Sequence, residues 1–436
     1  MTLGTVAIVG APNVGKSTIF NRMVGGKSAI VHDEAGVTRD RLYGKCEWLT
    51  RSFNVIDTGG IEIKNAPFQQ EIRAQVEIAI EEADVIVYIC DGLLGVTKDD
   101  RMVAKMLYKT SKPVIVAVNK IDSIEKMDLI NEFYSLGLGE VMAVSSSHGI
   151  GIGDLLDKIV SFLPEKKEEK YENVIPFCVI GRPNVGKSSL VNAILGQERV
   201  IVSNIEGTTR DAIDTAFKRD DQSYIVIDTA GLKRRGKIFE SVDKYAALRA
   251  MAAIDRSEVV LLVIDGSVGI TAQDKHVAGY AYESHKAMII VVNKWDLVER
   301  SQNAMSDFTK LIRQEFKFMD FAPVVFVSAK NKDRIQTIFP EIDVAYNSYH
   351  LRIATSILND VIQDAQMMNP TPEFNGGRLK IYYASQAQTE PPTFILFVND
   401  PAFMHFSYER YLENRMRSTF EFEGTPIRFI CRERKQ

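Results

Sequence analysis

The sequence predicts a repeated α/β fold, two mostly parallel sheets flanked by helices, followed by a small α+β domain. Three observations carry that prediction. Strand-like apolar runs alternate with helix-length amphipathic segments, the pattern of a parallel sheet covered by helices. The pattern occurs twice in steady register: 171 residues separate Gly10 from Gly181, Thr38 from Thr209 and Asp57 from Asp228, and 174 separate Asn119 from Asn293. After about Ser348 the repeat ends and shorter elements in a different order follow.

In the first copy the predicted strands are Thr5–Gly10, Phe53–Asp57, Val85–Asp91, Val114–Asn119 and Val141–Ser145. In the second they are Phe177–Gly181, Tyr224–Asp228, Val259–Asp265, Met288–Asn293 and Val324–Ser328. Residues with chemistry to offer lie at or just beyond the C-terminal end of each, where ligands of open α/β sheets sit. Pro164–Lys170 is a proline followed by unbroken charge, read as a solvated linker. The expected organisation is a first domain over 1–163, a charged linker over 164–174, a second domain over 175–348 and a third over 349–436.

In the third domain a helix is expected over Leu351–Met368, with Ile353, Ile357, Val361 and Ile362 apolar and a stop before Pro370. Leu379–Tyr383 and Phe394–Val398 read as a hairpin with a loose turn around Pro391-Pro392, followed by a helix near His405–Arg417 and a strand Pro426–Arg432. This helix–strand–strand–helix–strand order resembles a KH domain. It lacks the G-x-x-G loop between helices that clamps nucleotides in that module, and Gly376-Gly377 reads as a turn.

A chain of 436 residues is long enough for about three domains. Its 45% hydrophobic and 25% charged residues are ordinary for a globular protein. No apolar run approaches the roughly 20 residues of a membrane span, and Thr5–Val9 is a short run that reads as a buried strand and not a signal peptide. Cys46, Cys90, Cys178 and Cys431 are scattered, which argues against a disulfide framework or zinc site and fits a reducing cytosol. A net charge of −4 excludes a bulk polyanion binder. Two local basic stretches remain: Lys233-Arg234-Arg235-Gly236-Lys237, and a tail with Arg428, Arg432, Arg434 and Lys435.

Gly10-Ala11-Pro12-Asn13-Val14-Gly15-Lys16-Ser17 and Gly181-Arg182-Pro183-Asn184-Val185-Gly186-Lys187-Ser188 both fit G-x-x-x-x-G-K-[ST]. In that loop backbone N–H groups cradle phosphates, lysine meets the β/γ oxygens and the hydroxyl suits Mg²⁺. Thr38 in Gly36-Val37-Thr38-Arg39-Asp40 and Thr209 in Gly207-Thr208-Thr209-Arg210-Asp211 can close over the γ-phosphate and complete the Mg²⁺ shell. Asp57-Thr58-Gly59-Gly60 and Asp228-Thr229-Ala230-Gly231 place a carboxylate near Mg²⁺ and a glycine N–H, from Gly60 and Gly231, near the γ-phosphate. Asn119-Lys120-Ile121-Asp122 and Asn293-Lys294-Trp295-Asp296 identify the base. The Asp122 and Asp296 carboxylates can each accept from guanine N1–H and its exocyclic amine, which adenine cannot match. Asn119 and Asn293 buttress base and loop, and the stems of Lys120 and Lys294 can lie on its faces. Ser145-Ser146-Ser147 and Ser328-Ala329-Lys330 would bring a backbone N–H to the guanine oxygen. Both copies therefore read as guanine-nucleotide sites.

Tandem G-x-P-N-V-G-K-S loops, two T-R-D segments, two N-K-x-D motifs and a small C-terminal domain resemble the Der (EngA) double-GTPase family over essentially the whole chain. The resemblance implies two tandem Ras-like P-loop GTPase domains and a KH-like domain. It also implies a cytoplasmic enzyme that associates with the ribosome and assists assembly of the large subunit, with ribosomal RNA or the large subunit as partner. Neither DNA nor a membrane is expected as a partner, and the chain is expected to act as a monomer.

Catalysis is assigned to Lys16, Thr38 and Gly60 in the first domain and to Lys187, Thr209 and Gly231 in the second. Ras-like domains place a glutamine after D-x-x-G to orient the attacking water; here Ile61 and Leu232 stand there and cannot hydrogen-bond it. In related GTPases an asparagine at the position of Asn13 and Asn184 helps hold K⁺ beside the β/γ-phosphates, where the cation does the work of an arginine finger; the alternative is that asparagine simply tolerates the tight turn before Val-Gly. Lys233–Lys237 directly follows the second D-T-A-G, so nucleotide state is expected to move it. Two rival classes are a regulatory switch acting on protein partners and an ATPase motor; both N-K-x-D motifs oppose the second.

Overall fold

The computed structural model describes residues 2–24, 43–49, 51–58, 68–164, 174–196, 199–200, 214–228, 243–299 and 301–434. Gly36–Asp40, Gly59 to Ile61, most of the expected linker, Gly207–Asp211, Thr229 to Leu232, Lys233–Lys237 and Lys435 lie outside the described residues. The chain separates into two compact units, one built on Met1–Lys170 and the other on Tyr171–Arg234 with Arg249–Gln436.

In the first unit β1 (Thr2–Gly10), α1 (Lys16–Val24), β2 (Tyr43–Trp48), β3 (Arg51–Asp57), α2 (Phe68–Glu82), β4 (Val85–Asp91), α3 (Lys98–Leu107), β5 (Val114–Asn119), β6 (Val141–Ala143) and α4 (Ile152–Phe162) follow in order. Their sheet runs β2-β3-β1-β4-β5-β6, parallel except for β2 against β3. Chain order reverses at β1, which lies between β3 and β4. The crevice beyond its C-terminal end is therefore a topological switch point. All seven residues of β4 are buried, because one face meets Val103, Ala104 and Leu107 of α3 and the other meets the cluster holding Ile19 and Phe20 of α1. Full burial of each such aliphatic side chain contributes about 1.5–3 kcal/mol, which fixes a strand of this kind at the sheet centre.

The second unit repeats this design with β7 (Val174–Ile180), α5 (Lys187–Leu195), β8 (Arg199–Val200), β9 (Thr215–Arg219), β10 (Gln222–Ile227), α6 (Asp243–Arg256), β11 (Val259–Asp265), α7 (Ala272–Glu283), β12 (Ala287–Asn293), α8 (Ala304–Glu315), β13 (Val324–Phe326) and α9 (Ile338–Tyr349). The sheet order is β13-β12-β11-β7-β10-β9-β8, again reversing at the strand that feeds the phosphate loop. The antiparallel strands β2, at the edge of the first sheet, and β9, between β10 and the edge strand β8 in the second, were not anticipated. Tyr43–Trp48 buries Cys46 while Lys45 and Glu47 stay partly or fully outside, so no apolar run announces it.

The remaining elements are α10 (Thr355–Met368), β14 (Glu373–Phe374), β15 (Gly377–Arg378), β16 (Ile381–Thr389), β17 (Pro392–Val398), α11 (Phe406–Phe420) and β18 (Arg428–Glu433), with β16-β17-β18 forming one sheet. The expected element order holds, with two corrections. The helix begins at Thr355 and not Leu351, because the Ile353 N–H and Leu351 carbonyl are both engaged by the Gln386 side chain at 2.8 Å. The hairpin turn is tight, because Ala384–Thr389, a stretch of small and polar residues, continues β16 and pairs with Pro392–Leu396. Gly376 does lie in a turn, at φ +81° between β14 and β15.

Backbone bonds join this part to the second sheet: Met288 N–H donates to Gly424 O at 2.7 Å, and Gly424 N–H to Phe321 O at 3.0 Å. The Arg417 guanidinium lies over the Phe321 ring at 4.9 Å. His350 bridges the same boundary, with Nε2 2.6 Å from Glu258 Oε2 and Nδ1 3.0 Å from Glu390 Oε1. Burial alone would lower its pKa, but hydrogen bonds and charge from Glu258, then Glu390, outweigh burial and hold it above the usual histidine value. A raised folded pKa stabilises the structure fully below the unfolded value near 6.5, and that contribution is lost as pH rises through the folded value. The full chain should therefore melt higher at pH 6 than His350→Gln, by about 2–4 °C if the pair is worth on the order of 1 kcal/mol. The gap should close by pH 8.5 in differential scanning calorimetry.

Candidate functional site

β1 and β7 run into loops that turn back to start α1 and α5 with Lys16 and Lys187. Left-handed backbone makes the turn possible: Asn13 has φ +64° and Gly15 +101°, and Asn184 has +66° and Gly186 +97°. Lys16 Nζ donates to the Gly10 and Ala11 carbonyls, each at 2.8 Å. Lys187 Nζ does the same to Gly181 at 2.7 Å and Arg182 at 2.8 Å. Burial pulls both ammonium groups down to about 8; Asp57 opposes this at Lys16, while at Lys187 the Arg182 charge adds to it and Asp274 opposes it. Pro12, Asn13, Pro183 and Asn184 are exposed, whereas Val14 and Val185 turn into the core.

The base motifs follow β5 and β12, two strands from the loops, yet a single amide joins them. Asn119 Nδ2 donates to Val14 O at 2.7 Å, and its Oδ1 accepts from Ser146 N–H at 2.8 Å. Asn293 repeats this with Val185 O at 2.8 Å and Ala329 N–H at 2.9 Å. Ser146 and Ala329, in the segments expected to bring a backbone N–H to the guanine oxygen, thus give their own N–H groups to the asparagine. Packing is tight enough to demand glycine: a Cβ on Gly15 would stand 2.2 Å from Asn119 Nδ2, and one on Gly186 2.3 Å from Asn293 Nδ2. Asp122 Oδ1 accepts from Lys126 Nζ at 2.7 Å, which lowers its pKa. Asp296 Oδ1 accepts from the Ser328 hydroxyl at 2.6 Å. Ile121 and Trp295, placed in these motifs by sequence, pack inward; the Trp295 ring lies 4.5 Å from that of Phe326.

Two carboxylates were missed. Asp91 and Asp265 end β4 and β11, opposite Asn119 and Asn293 in register, and pair with Lys120 and Lys294. Burial alone would raise the Asp265 pKa; hydrogen bonds from Lys294 and Ser267 outweigh it. Asp91 and Asp265 anchor the Lys120 and Lys294 ammonium groups beside the base motifs. Their 174-residue separation matches that of the asparagines and would have revealed them. A further support is confined to the first copy, where Arg22 on α1 donates to the carbonyls of Ser146 and Ser147.

In the first copy the described groups expected near metal form a donor set that suits Mg²⁺. The Ser17 hydroxyl donates to Asp57 Oδ2 at 2.8 Å, bringing two hard oxygen donors together, and Thr58 Oγ1 donates to Ile8 O at 2.6 Å. In the second copy Asp228 has φ +59° and its N–H donates to Asp214 Oδ1 at 2.9 Å. Ser188 heads α5 as Ser17 does α1, each one residue after the lysine.

Comparison with known proteins bears on the whole chain. Residues 5–120 and 176–294 match the family described as 50S ribosome-binding GTPase, and 352–432 match the KH-domain-like C-terminal domain of EngA bacterial GTPase enzymes. GTPase Der of Staphylococcus carnosus is 58% identical over 435 residues, covering 100% of both chains. GTPase Der of Bacillus cytotoxicus is 57% identical over 430 residues, covering 98% of this chain and 99% of that one. GTPase Der of Listeria monocytogenes serotype 4a is 56% identical over 436 residues, covering 100% of both. With two repeated phosphate-loop domains and a KH-like C-terminal domain, the chain belongs to the Der (EngA) family of GTPases.

Proposed function

We propose that this GTPase is a Mg²⁺-dependent switch that associates with the large ribosomal subunit through ribosomal RNA and assists its assembly in the cytoplasm as a monomer. The observation that carries the reading is the doubled lattice of Asn119 and Asn293, which ties each phosphate loop to its base motif. The match to a 50S ribosome-binding GTPase family supports the partner. Among the described residues no helix is long and apolar enough to cross a membrane.

In each site Lys16 or Lys187 and the N–H groups of the loop would hold the β/γ-phosphates, and Asp122 or Asp296 the guanine edge. Ser17, Thr38 and Asp57, and Ser188, Thr209 and Asp228, would hold Mg²⁺, which when bound neutralises phosphate charge. Gly60 and Gly231 would offer an N–H to the γ-phosphate. Water attack lacks a side-chain base at Ile61 and Leu232, so charge stabilisation carries the rate. The side-chain carbonyls of the exposed Asn13 and Asn184 would be hard donors for K⁺ beside the phosphates.

Lysines held at about 8 give binding a pH dependence. Phosphate favours the charged ammonium, so binding takes up a proton once pH exceeds that value. Affinity should fall up to about tenfold per pH unit per site above 8 and be flat with respect to these groups below about 7. Calorimetry at pH 8.8 in two buffers of different ionisation enthalpy reads the proton directly; no uptake contradicts the assignment. The function itself is tested by co-sedimentation with large subunits under GTP, GDP and a non-hydrolysable analogue, alongside turnover in K⁺ and Na⁺. Nucleotide-dependent pelleting and faster turnover in K⁺ are expected. Pelleting that ignores the nucleotide would favour a switch acting on protein partners, and equal rates in both salts would remove K⁺.

A further inference from the structure

The two phosphate loops are not held alike. After the leading glycine the first has Ala11 and the second Arg182. This difference reaches a buried carboxylate at the start of α3 and of α7. Asp100 and Asp274 each close a capping box with Thr97 and Thr271. Both use Oδ2 for it, accepting from the threonine N–H and hydroxyl at 2.8 and 2.6 Å in the first copy and at 2.9 and 2.7 Å in the second. Asp100 gives its other oxygen to the Tyr88 hydroxyl on β4. The second copy has Leu262 where the first has Tyr88. There Arg182 Nε donates to Asp274 Oδ2 at 3.2 Å, while Arg182 Nη2 and Asp274 Oδ1 are buried without a partner.

We propose that Arg182 is a positioning residue of the second phosphate loop alone: its ion pair with Asp274 pins the loop to the start of α7 and fixes the carbonyl that holds Lys187. The route is short, since Arg182 O accepts from Lys187 Nζ at 2.8 Å. Clamping the side chain of a residue restricts the orientation of its own peptide. Ala11 O meets Lys16 at the same 2.8 Å but has no side chain to clamp. In the first copy the buried carboxylate is satisfied from β4 instead, and the loop is bypassed. The two unpartnered atoms leave the Arg182–Asp274 pair one further hydrogen bond to form, so a small shift converts it to a bidentate pair. Removal of Arg182 would leave the fully buried Asp274 carboxylate without its charge partner. The inference rests on the reading of Lys187 as a phosphate ligand and of Asp122 and Asp296 as base readers.

The test uses the full chain carrying Asp122→Asn, which leaves guanine binding to the second site, and titrates a fluorescent GDP. Arg182→Ala should weaken binding about tenfold and Arg182→Lys by less. Adding Asp274→Asn to Arg182→Ala should cost little more, because the pair is already broken. The turnover number at saturating GTP should change less than the affinity. Arg182→Ala with Leu262→Tyr gives the second copy the arrangement of the first, so its melting temperature should recover while its affinity should not. Unchanged affinity in Arg182→Ala, or affinity restored by Leu262→Tyr, overturns the proposal and leaves the pair a helix anchor only. The Asp122→Asn chain should bind one equivalent where the parent binds two. If it binds two, the base reading fails, and the Arg182 effect is then read from the split of the two-site titration.

Discussion

Everything in either nucleotide site depends on one buried amide. Asn119 and Asn293 each donate to the phosphate loop and accept from the segment after the next strand, so two loops from separate βα connections hold a single geometry. A buried amide with both ends engaged is rigid, and leaving either end unpaired costs about 1–3 kcal/mol. The constraint propagates outward. It requires the glycines at 15 and 186, where any Cβ would run into the amide, and those glycines allow the left-handed turn that starts each helix at its lysine. The apolar strands exist, in this sense, to bring the ends of β1, β4 and β5, or of β7, β11 and β12, to one crevice.

Around this shared lattice the two copies have diverged in what supports it. The first holds its base loop from α1 through Arg22, where the second has Ala193. The first pairs its base-reading carboxylate with Lys126, whereas the second gives it to the Ser328 hydroxyl. The first pairs its capping carboxylate with a strand tyrosine, and the second pairs it with an arginine of the phosphate loop itself. Lys16 and Lys187, Asn119 and Asn293, and Asp122 and Asp296 stay the same in kind, and what differs is what holds them. These changes alter how firmly each loop is held, which allows two sites of the same chemistry to respond differently to ligand.

Most of this was legible because the chemistry-bearing strands are buried on both faces and read as unbroken apolar runs. The offset between copies located each motif, and Gly10, Asp57 and Asn119, with Gly181, Asp228 and Asn293, stand at or just beyond strand ends. The failures share a cause: where one face of a strand meets solvent, polar residues hide it. That concealed β2, β9 and the second half of β16. Ile121 and Trp295 sit inside the base motifs yet pack inward, since a motif fixes backbone position and not the direction of every side chain. Asp91, Asp265, Asp100 and Asp274 lie outside the familiar motifs; the 174-residue offset pairs them, but only their partners in space show what they do.

The most direct measurement is the stoichiometry of GDP binding by calorimetry for the parent chain, Asn119→Ala, Asn293→Ala and the double variant. If each amide organises its own complete site, these bind two, one, one and no equivalents. A single variant that keeps both equivalents, or one that loses both, would contradict the account.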